Sequence, residues 1–541
     1  MAKTNPLARI ARLVQEEKSE ISSVYFYAIL SSLIQLSLPL GIQAIIGFIL
    51  GGAMSTSLVI LIFLVVLGVL INGLLQMNQM KIIERIQQKI FVRYSFAFTS
   101  HIPRLDLQKI DSFYLPELVN RFFDIPVLQK SLSKILLDFP IAVTQILLGL
   151  LLLSFYHPAF IFFGVVLILL LTLIFYVTGD RGFQTSLEKS NYKYEVAGWL
   201  EEMARVIKQF KFSAHHSLHE KKADEKVVGY VEARKAHFSI LLLQYKVLIG
   251  LKVIITAAML IVGCILLLEQ QINIGQFVAA EIVIFIVINS VEKLIVNLDS
   301  VYSTLTSVEK INKLLDKPAE EEGSFTVDGA DAFAVEFRNV SFAYQEDRPI
   351  LTNVNFSVRP GQKIAITGRD GSGKSTILKL LSGSYPSFSG SILVNNVPIG
   401  NYNLEHLRSH TGIVLGQQDL FAGTVWENIA LGDGEADKTY ISQVVQAISL
   451  SNYISTMKEG YDTVLDPTGK RLPKNVAQKI LLARALAHKP KLLLLEEPWL
   501  GLDDSAKQQI QQFLLRDVTA TLIVTTNDQD FIRQADQVIA I

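Results

Sequence analysis

The chain has 541 residues, of which half are hydrophobic, and its 50 Lys and Arg residues balance 50 Asp and Glu residues. Zero net charge argues against a nucleic-acid-binding protein, because such a protein needs a basic excess to neutralise phosphates. The single cysteine, Cys264, lies in an apolar run and excludes an internal disulfide. The apolar residues are concentrated in the first 300 positions.

Long uncharged stretches dominate this first part of the chain. Residues 21–80 and 139–179 contain no Asp, Glu, Lys or Arg, and a third hydrophobic stretch covers 247–291. A helix needs about 20 apolar residues to cross a bilayer, so each stretch holds two crossings. We predict a six-helix membrane domain over 21–300, with crossings near 22–47, 57–78, 137–156 and 159–178 and a last pair on either side of the turn 269–273.

The positive residues predict the orientation of these crossings. The first 20 residues carry four Lys or Arg, segment 79–136 carries nine and segment 179–237 carries eleven, whereas the short turns carry none. Both termini and both long loops are therefore predicted to be cytoplasmic, in a multi-pass protein of the cell (inner) membrane. Residues 1–20 lack a signal-peptide pattern and are predicted to form an interfacial helix.

The two long loops, 79–136 and 179–237, exceed what a tight connection needs. They favour helices that continue from the membrane into the cytoplasm, whose central segments near 111–120 and 210–220 touch another domain. Solvated helices without such a contact are the alternative.

Two charged residues fall inside the predicted crossings: Lys252 in the fifth and Glu281 in the sixth. Charges within a membrane usually face a bundle interior or an aqueous cavity. Both are therefore candidate pathway residues, although Lys252 could instead extend its amine to the cytoplasmic face.

After residue 300 the composition changes to a charged linker, predicted over 301–330, and then to alternating strands and helices over 331–541. This alternation is typical of an α/β nucleotide-binding domain. Its strongest motif, GRDGSGKST, lies between an apolar strand and a helical run, which is the context of a phosphate-binding loop. The predicted ATP-binding residues of this loop are Gly368, Arg369, Asp370, Gly371, Ser372, Gly373, Lys374, Ser375 and Thr376.

The second motif is a pair of acids, Glu496 and Glu497, directly after the apolar run Leu492–Leu495. Such a run is typical of a buried parallel strand, and α/β ligands bind where strands of this kind end. We predict that Ser375 and Glu496 hold Mg²⁺. Glu497 is the predicted catalytic residue, because it can orient or deprotonate the attacking water.

With these motifs the sequence resembles the ATP-binding cassette (ABC) exporter family over nearly its whole length. Tyr344 matches the residue that stacks on adenine, and the stretches 420–429 and 500–503 match two further family blocks. The resemblance implies coupling helices in the two long loops and a pathway formed by twelve crossings from two chains. The stretch 38–43, with one membrane domain fused to one cassette, is most similar to type I protein and peptide secretion exporters.

The chain departs from this family at several phosphate-facing positions. In place of the signature Leu-Ser-Gly-Gly-Gln it has Leu472, Pro473, Lys474, Asn475 and Val476. Proline supplies neither a hydroxyl nor an N–H group. Asn527 replaces the switch histidine, Glu496 replaces an aspartate, and Gly416 stands where a glutamine belongs, with the predicted ATP ligand Gln417 after it.

The sequence therefore predicts an exporter subunit that binds ATP and Mg²⁺ and hydrolyses ATP weakly as a homodimer. A heterodimer with an intact second half-transporter would contain one workable site, and a membrane-fusion protein is a further partner that the resemblance implies. The alternative is an ATP-sensing regulatory or receptor-like membrane protein with little or no hydrolysis.

Overall fold

The computed structural model describes residues 6–51, 56–111, 113–212, 217–326, 329, 331–345, 348–416 and 419–541. The chain divides into two compact units. The first comprises Met1–Pro103 and Phe113–Lys317, and the second comprises Arg104–Ser112 and Pro318–Ile541.

Long helices make up the first unit. Six helices of the described residues are long and apolar enough to cross a membrane, as predicted, and they contain α2, α3, α6, α7, α9 and α10. Up to residue 315 the helices are α1 (Pro6–Glu16), α2 (Lys18–Leu50), α3 (Thr56–His101), α4 (Leu107–Ile110), α5 (Leu115–Val119), α6 (Asp124–Tyr156), α7 (Ala159–Arg205), α8 (Ile207–Phe212), α9 (Leu218–Leu268), α10 (Ile274–Val296) and α11 (Leu298–Leu315).

Helices α3, α7 and α9 continue well beyond their apolar parts, with 46, 47 and 51 residues. At a rise of 1.5 Å per residue they are about 70 to 77 Å long, more than twice the hydrocarbon thickness of a bilayer. The long loops are thus mainly helix extensions, as expected. The predicted segment 210–220 belongs to the first unit, and its residues 213–216 lie outside the described residues.

The core of the first unit forms where α6 packs against α2 and α10, with α7 packed against α9. The backbone of α6 approaches α10 closely at Gly149, where an added Cβ atom would lie 2.6 Å from Val287 Cγ2. Helix α11 extends this unit to Lys317, because its apolar residues Val308, Ile311 and Leu314 are buried. The predicted linker 301–330 therefore starts too early, and the boundary between the units lies at Pro318.

Among its described residues, the second unit has three sheets and further helices. The sheets have the strand orders β2-β1-β4-β5, β11-β3-β10-β9-β6 and β7-β8. The strands are β1 (Val335–Gln345), β2 (Arg348–Val358), β3 (Lys363–Thr367), β4 (Ser389–Val394), β5 (Val397–Pro398), β6 (Thr411–Val414), β7 (Gly423–Thr424), β8 (Val464–Leu465), β9 (Leu492–Glu496), β10 (Thr521–Thr525) and β11 (Gln537–Ala540). The remaining helices are α12 (Lys374–Leu381), α13 (Leu404–Ser409), α14 (Val425–Ala430), α15 (Lys438–Ala447), α16 (Ser451–Thr456), α17 (Lys474–Leu486), α18 (Asp504–Arg516) and α19 (Gln529–Ile532).

The five-stranded sheet is parallel, and its central strands β3, β9 and β10 are buried apolar runs, as expected for a sheet covered on both faces. Strand β10 lies between β3 and β9, with Thr525 in register with both Ile366 and Glu496. The carboxyl ends of the three strands therefore meet at one edge, where α/β proteins bind their ligands.

A short segment of the first long loop, Arg104–Ser112, belongs to the second unit. The N–H of Asp106 donates to the carbonyl of Pro318 at 3.0 Å, and that of Glu320 donates to Arg104 at 2.8 Å. The side chain of Gln108 accepts from the N–H of Ser387 at 3.0 Å. The contact segment thus begins N-terminal to the predicted 111–120 and overlaps it at Asp111, whose Oδ1 accepts from the Tyr385 hydroxyl at 3.4 Å.

Candidate nucleotide-binding site

The phosphate loop connects β3 to α12 through two residues in the left-handed region, Gly371 at φ 79° and Gly373 at φ 99°. Glycine occupies this region without the steric cost that a Cβ atom adds. A Cβ atom at Gly373 would also lie 2.5 Å from Leu351 Cδ2. These glycines let the loop turn directly into the N-terminus of α12, where the free N–H groups and the helix dipole favour an anion.

The loop's polar groups fit a phosphate ligand. Lys374 Nζ donates to the carbonyls of Gly368 and Arg369 at 2.7 and 3.0 Å and lies 3.9 Å from Asp370 Oδ1. Ser372 Oγ is buried and has no hydrogen-bond partner among the described residues. A buried hydroxyl without a partner is costly, and a phosphate oxygen would satisfy it.

Glu496 lies against the start of α12. Its Oε1 accepts a hydrogen bond from the Ser375 hydroxyl, and its Oε2 accepts from the N–H of Gly416 at 2.8 Å. A serine hydroxyl and a carboxylate are hard oxygen donors, so this pair fits Mg²⁺, which binds proteins through one or two such groups and the phosphates of its substrate.

Glu497 lies one residue farther along, at φ 40°, a conformation that is strained for a non-glycine residue. Its N–H donates to the carbonyl of Thr525 at 3.0 Å, and its Oε2 accepts from Thr526 Oγ1 at 3.1 Å. Burial raises the pKa of Glu497, while the Thr526 bond and the charge of Lys374 oppose the rise. The strain and the raised pKa are both typical of a functional carboxylate.

Tyr344, at the end of β1, has an exposed ring: 40% of the residue is accessible. Its hydroxyl lies 3.3 Å from Thr376 Oγ1 in the phosphate loop. The ring meets Phe342 and Tyr385 edge-on, with centroid distances of 4.9 and 5.4 Å. The Tyr344 ring therefore lies next to the phosphate loop. One ATP molecule could stack its adenine on the ring and place its phosphates in the loop.

The altered signature begins helix α17. Pro473 is the N-cap, without a side-chain hydrogen bond to the helix, and both Pro473 and Lys474 are exposed. Asn475 turns its Oδ1 back to the N–H of Val476 at 2.9 Å. The first turn of α17 thus presents one cation but lacks the hydroxyl and the glycine backbone of the family motif.

The altered switch position and the predicted ATP ligand Gln417 have different outcomes. Asn527 follows β10 at the same edge as Glu497, and its Oδ1 accepts from the N–H of Gly368 at 3.4 Å. The structure therefore brings the switch position to the phosphate loop. Gln417 lies outside the described residues.

The charges inside the crossings behave differently from each other. Lys252 Nζ forms an ion pair with Glu292 Oε2 of α10, an acid that the sequence prediction did not consider. Glu281 is part-buried, and its Oε1 has no hydrogen-bond partner among the described residues. Lys252 thus has an acidic partner, and the pathway role of Glu281 stays a prediction.

Sequence reasoning missed Thr526, which holds the Glu497 carboxylate and also accepts from Trp499 Nε1 at 3.2 Å. Its position directly after the apolar strand β10 was the available signal, because the ends of neighbouring parallel strands share one edge. The contact between Gly416 and Glu496 was also missed, because no sequence pattern relates residues 80 positions apart.

Comparison with known proteins agrees with both halves of this description. A family model described as "ABC transporter" matches residues 351–500, and one described as "ABC transporter transmembrane region" matches residues 23–291. The chain belongs to the ABC transporter family. With one membrane region fused to one ATP-binding domain, it has the organisation of an ABC half-transporter.

Among its relatives, an ATP-dependent lipid A-core flippase of Burkholderia orbicola is 32% identical over 302 residues, 56% of this ABC transporter chain and 50% of that protein. A multidrug efflux ATP-binding/permease protein of Mycobacterium bovis is 32% identical over 232 residues, 42% of this chain and 19% of that protein. The match thus spans half or less of each relative. This chain also matches the structure of a bacterial Atm1-family ABC exporter with ATP bound. The match covers 97% of this chain and 93% of the exporter chain, with a TM-score of 0.82 and 19% sequence identity. That likeness shows the exporter fold.

Proposed function

We propose that this chain is one half of an ATP-driven exporter, which binds MgATP at the phosphate loop and works as a dimer. The observation that carries this proposal is the meeting of Lys374, Ser375, Glu496 and Glu497 at the shared edge of β3, β9 and β10. A phosphate cradle, a cation site and a partly buried acid are the parts that ATP hydrolysis needs.

In this proposal the ABC chain's own residues supply binding and positioning. Lys374 would exchange the loop carbonyls for the β- and γ-phosphates and neutralise their charge, and Ser375 and Glu496 would hold the Mg²⁺ ion. The bound Mg²⁺ contributes charge neutralisation of the phosphates. Tyr344 stacks on the adenine ring.

Glu497 orients the attacking water and takes its proton. Its partial burial disfavours the carboxylate, so the raised pKa makes it a stronger base than an exposed glutamate. The Thr526 hydroxyl donates to one lone pair of Glu497 Oε2 and so fixes the orientation of the carboxylate. Without Glu497 the bound ATP would face an unactivated water.

The family resemblance implies that each ATP site is formed by the phosphate loop of one chain and the signature of the other chain. Pro473, Lys474 and Asn475 would leave two impaired sites in a homodimer. With an intact partner, this chain's loop and Glu497 would face a complete signature. We therefore propose a heterodimer as the efficient form, with a homodimer that turns over slowly.

For the substrate we propose an amphiphile. Relatives include proteins named as a lipid A-core flippase and as a multidrug efflux permease. The resemblance of residues 38–43 to type I secretion exporters favours a peptide or protein, with a membrane-fusion protein as a further partner. Glu281, whose Oε1 is unpaired among the described residues, is the proposed contact for a polar part of the substrate.

A second candidate function is an ATP-sensing membrane protein that binds but barely hydrolyses ATP. The observation that favours it is the N-cap of α17, where Pro473 offers no donor. The strained, partly buried Glu497 opposes it, because a sensor of ATP needs no catalytic acid.

Reconstitution separates the two functions. The protein is placed in liposomes with a fluorescent phospholipid and, in parallel, a fluorescent peptide, and ATP-dependent movement is compared between wild type and Glu497→Gln. The exporter predicts movement of one probe by wild type alone, and Glu281→Gln should reduce that movement without changing ATP binding. Equal, ATP-independent behaviour of wild type and Glu497→Gln, with normal ATP binding, would favour the sensor.

A further inference from the structure

A second cluster of basic and hydroxyl side chains lies within the first unit, away from the crossings' apolar core. Two helices carry the same spacing of residues: α7 has Ser186, Lys189, Ser190 and Lys193, and α11 has Ser303, Thr306, Ser307 and Lys310. Residues at i, i+3, i+4 and i+7 share one face of a helix. Each helix therefore presents a stripe of hydroxyl groups that ends in a lysine.

The structure places the two stripes together. Thr306 Oγ1 lies 3.0 Å from Ser186 Oγ, and Lys310 Nζ donates to Asn191 Oδ1 of α7. Between them is a cavity of about 120 Å³, which we term the Ser–Lys cavity. Its lining includes Asp124, Ser186, Lys189, Ser190, Lys193 and Thr306. Its size suits a tetrahedral oxyanion together with ordered water.

One of the lining residues, Ser190, has a buried hydroxyl group. Ser190 is 7% exposed, and its Oγ forms no hydrogen bond within the described residues. Threonines of these helices donate to the carbonyl four residues earlier, as Thr178 does to Ile174 at 2.7 Å and Thr304 does to Ser300 at 2.8 Å. Ser190 lines the cavity instead, and a buried hydroxyl without a partner requires a ligand or water to satisfy it.

The charges of the lining favour an anion. Its single acid, Asp124, is already engaged: Lys193 Nζ donates to Oδ1 at 2.9 Å and the Tyr194 hydroxyl donates to Oδ2 at 2.7 Å. Lys189 has no ion pair among the described residues. Asp299, which attracts Lys189 at longer range, is bonded to His237 Nε2 at 3.0 Å.

Further cations surround the same region. Arg121 lies 3.5 Å from the centroid of the Tyr194 ring, and Lys310 Nζ lies 5.7 Å from it. Arg121 bonds to Glu117 through Nη2, but its buried Nε and Nη1 have no partner among the described residues. Buried positive charge of this kind is stable only when it is paired, so an anion near Lys189 and Ser190 would stabilise the whole group.

We propose that the Ser–Lys cavity binds a small phosphoryl anion, with Lys189 supplying the charge and Ser190 a hydrogen bond. Ser190 lies 12 residues beyond the predicted end of its crossing, about 18 Å at the helical rise. This depth places the cavity in the cytoplasmic extension, so the anion is a soluble phosphate species and not a lipid headgroup. The site is separate from the phosphate loop of the second unit and stands whether or not the proposed export activity does.

Phosphate titration of the full-length protein in detergent tests the site, with the phosphate loop saturated by a non-hydrolysable ATP analogue and Mg²⁺. Inorganic phosphate is compared with chloride at equal ionic strength, by calorimetric Kd and by the thermal unfolding midpoint. We expect saturable binding that raises the midpoint. Lys189→Met should weaken the affinity by about 10- to 100-fold, because it removes a hydrogen bond to a charged group, and Ser190→Ala by about threefold.

The matched control is Lys235→Met, which removes an exposed lysine of α9 outside the cavity and should leave the phosphate Kd unchanged. If Lys189→Met does not fold, Ser190→Ala and Lys189→Arg still test the proposal, since the arginine should retain most of the affinity. Absence of saturable binding to wild type, or binding that none of the cavity variants weakens, would overturn it.

A second arm separates the two sources of a phosphoryl group. The titration is repeated in nanodiscs of phosphatidylcholine, with and without phosphatidic acid. A soluble ligand predicts the same phosphate Kd in both. Competition by phosphatidic acid in wild type, but not in Lys189→Met, would overturn the soluble source and assign the cavity to a lipid phosphate.

Discussion

Two surfaces face ATP in the ABC family: the phosphate loop with strand β9, and the first turn of helix α17. In this chain the first surface keeps the residues that the family uses to contact ATP, and the second surface has lost most of them. At the loop, glycines adopt the left-handed conformation, Lys374 is in place and Ser375 meets Glu496. At α17, a proline caps the helix and an asparagine folds back on its own backbone.

This difference indicates which steps the chain performs by itself. In the proposed function, binding of MgATP depends on the loop and on Tyr344, which belong to one chain. The acceleration of phosphoryl transfer depends on additional donors aimed at the γ-phosphate, and removal of one such donor costs about 10²- to 10³-fold in rate. A chain that keeps the first surface and loses the second should bind well and hydrolyse slowly.

The largest effect expected is on nucleotide binding. Lys374→Ala removes the charge that neutralises the phosphates, and we expect it to abolish labelling by a photoreactive ATP analogue. Lys458→Ala, an exposed lysine of the same unit, is the control and should label like wild type. Unchanged labelling of Lys374→Ala would contradict the assignment of the intact surface.

Glu497→Gln should separate binding from hydrolysis. We expect ATP binding to persist and turnover to fall by about 10²- to 10⁴-fold, because proton transfer by a positioned base contributes that much. Turnover is measured in wild type and variant with equal nucleotide occupancy. Retained turnover in Glu497→Gln would mean that another group activates the water.

Tyr344→Ala is expected to have a moderate effect. Stacking of an aromatic side chain on a base contributes about 1–3 kcal/mol, and the exposure of Tyr344 favours the lower end, so the Kd for ATP should rise about fivefold. Tyr344→Phe keeps the ring and loses only the Thr376 contact. It should bind nearly as wild type does, and an equal loss in both variants would exclude stacking.

The pKa of Glu497 predicts a smaller, pH-dependent effect on stability. Because burial raises this pKa, the folded state favours the neutral acid, and ionisation destabilises the fold as pH rises through the raised value. Glu497→Gln should therefore unfold at a higher temperature than wild type at pH 8, and the gap should narrow as the pH falls below the raised pKa. A gap that widens on acidification would contradict the assigned shift.

Much of this architecture follows from the sequence for physical reasons. Runs of about 20 uncharged residues have few alternatives to a membrane crossing, and the strand–glycine-rich loop–helix order fixes the phosphate loop. The sequence also places Glu496 and Glu497 at the end of an apolar strand, which the parallel register then brings next to Ser375 and Thr526.

The remaining features depend on tertiary contacts that a local pattern does not contain. Because Asp106 pairs with Pro318, the contact segment of the first loop begins before the predicted 111–120. Because α11 buries its apolar face in the first unit, the boundary between the units lies at Pro318 and not at residue 301. The Lys252–Glu292 pair joins residues 40 positions apart on separate helices. Each of these follows from where helices and strands meet, which composition and periodicity leave open.

The most direct test of the difference between the two surfaces is the ATP turnover of the purified homodimer before and after repair of the second one. The repaired protein carries Pro473→Ser, Lys474→Gly and Asn475→Gly, with Asn527→His added in a second version. We predict slow turnover in wild type, an increase of about 10²-fold on repair of the signature, and a further increase with the histidine. A wild-type homodimer that turns over as fast as its repaired forms would contradict the account.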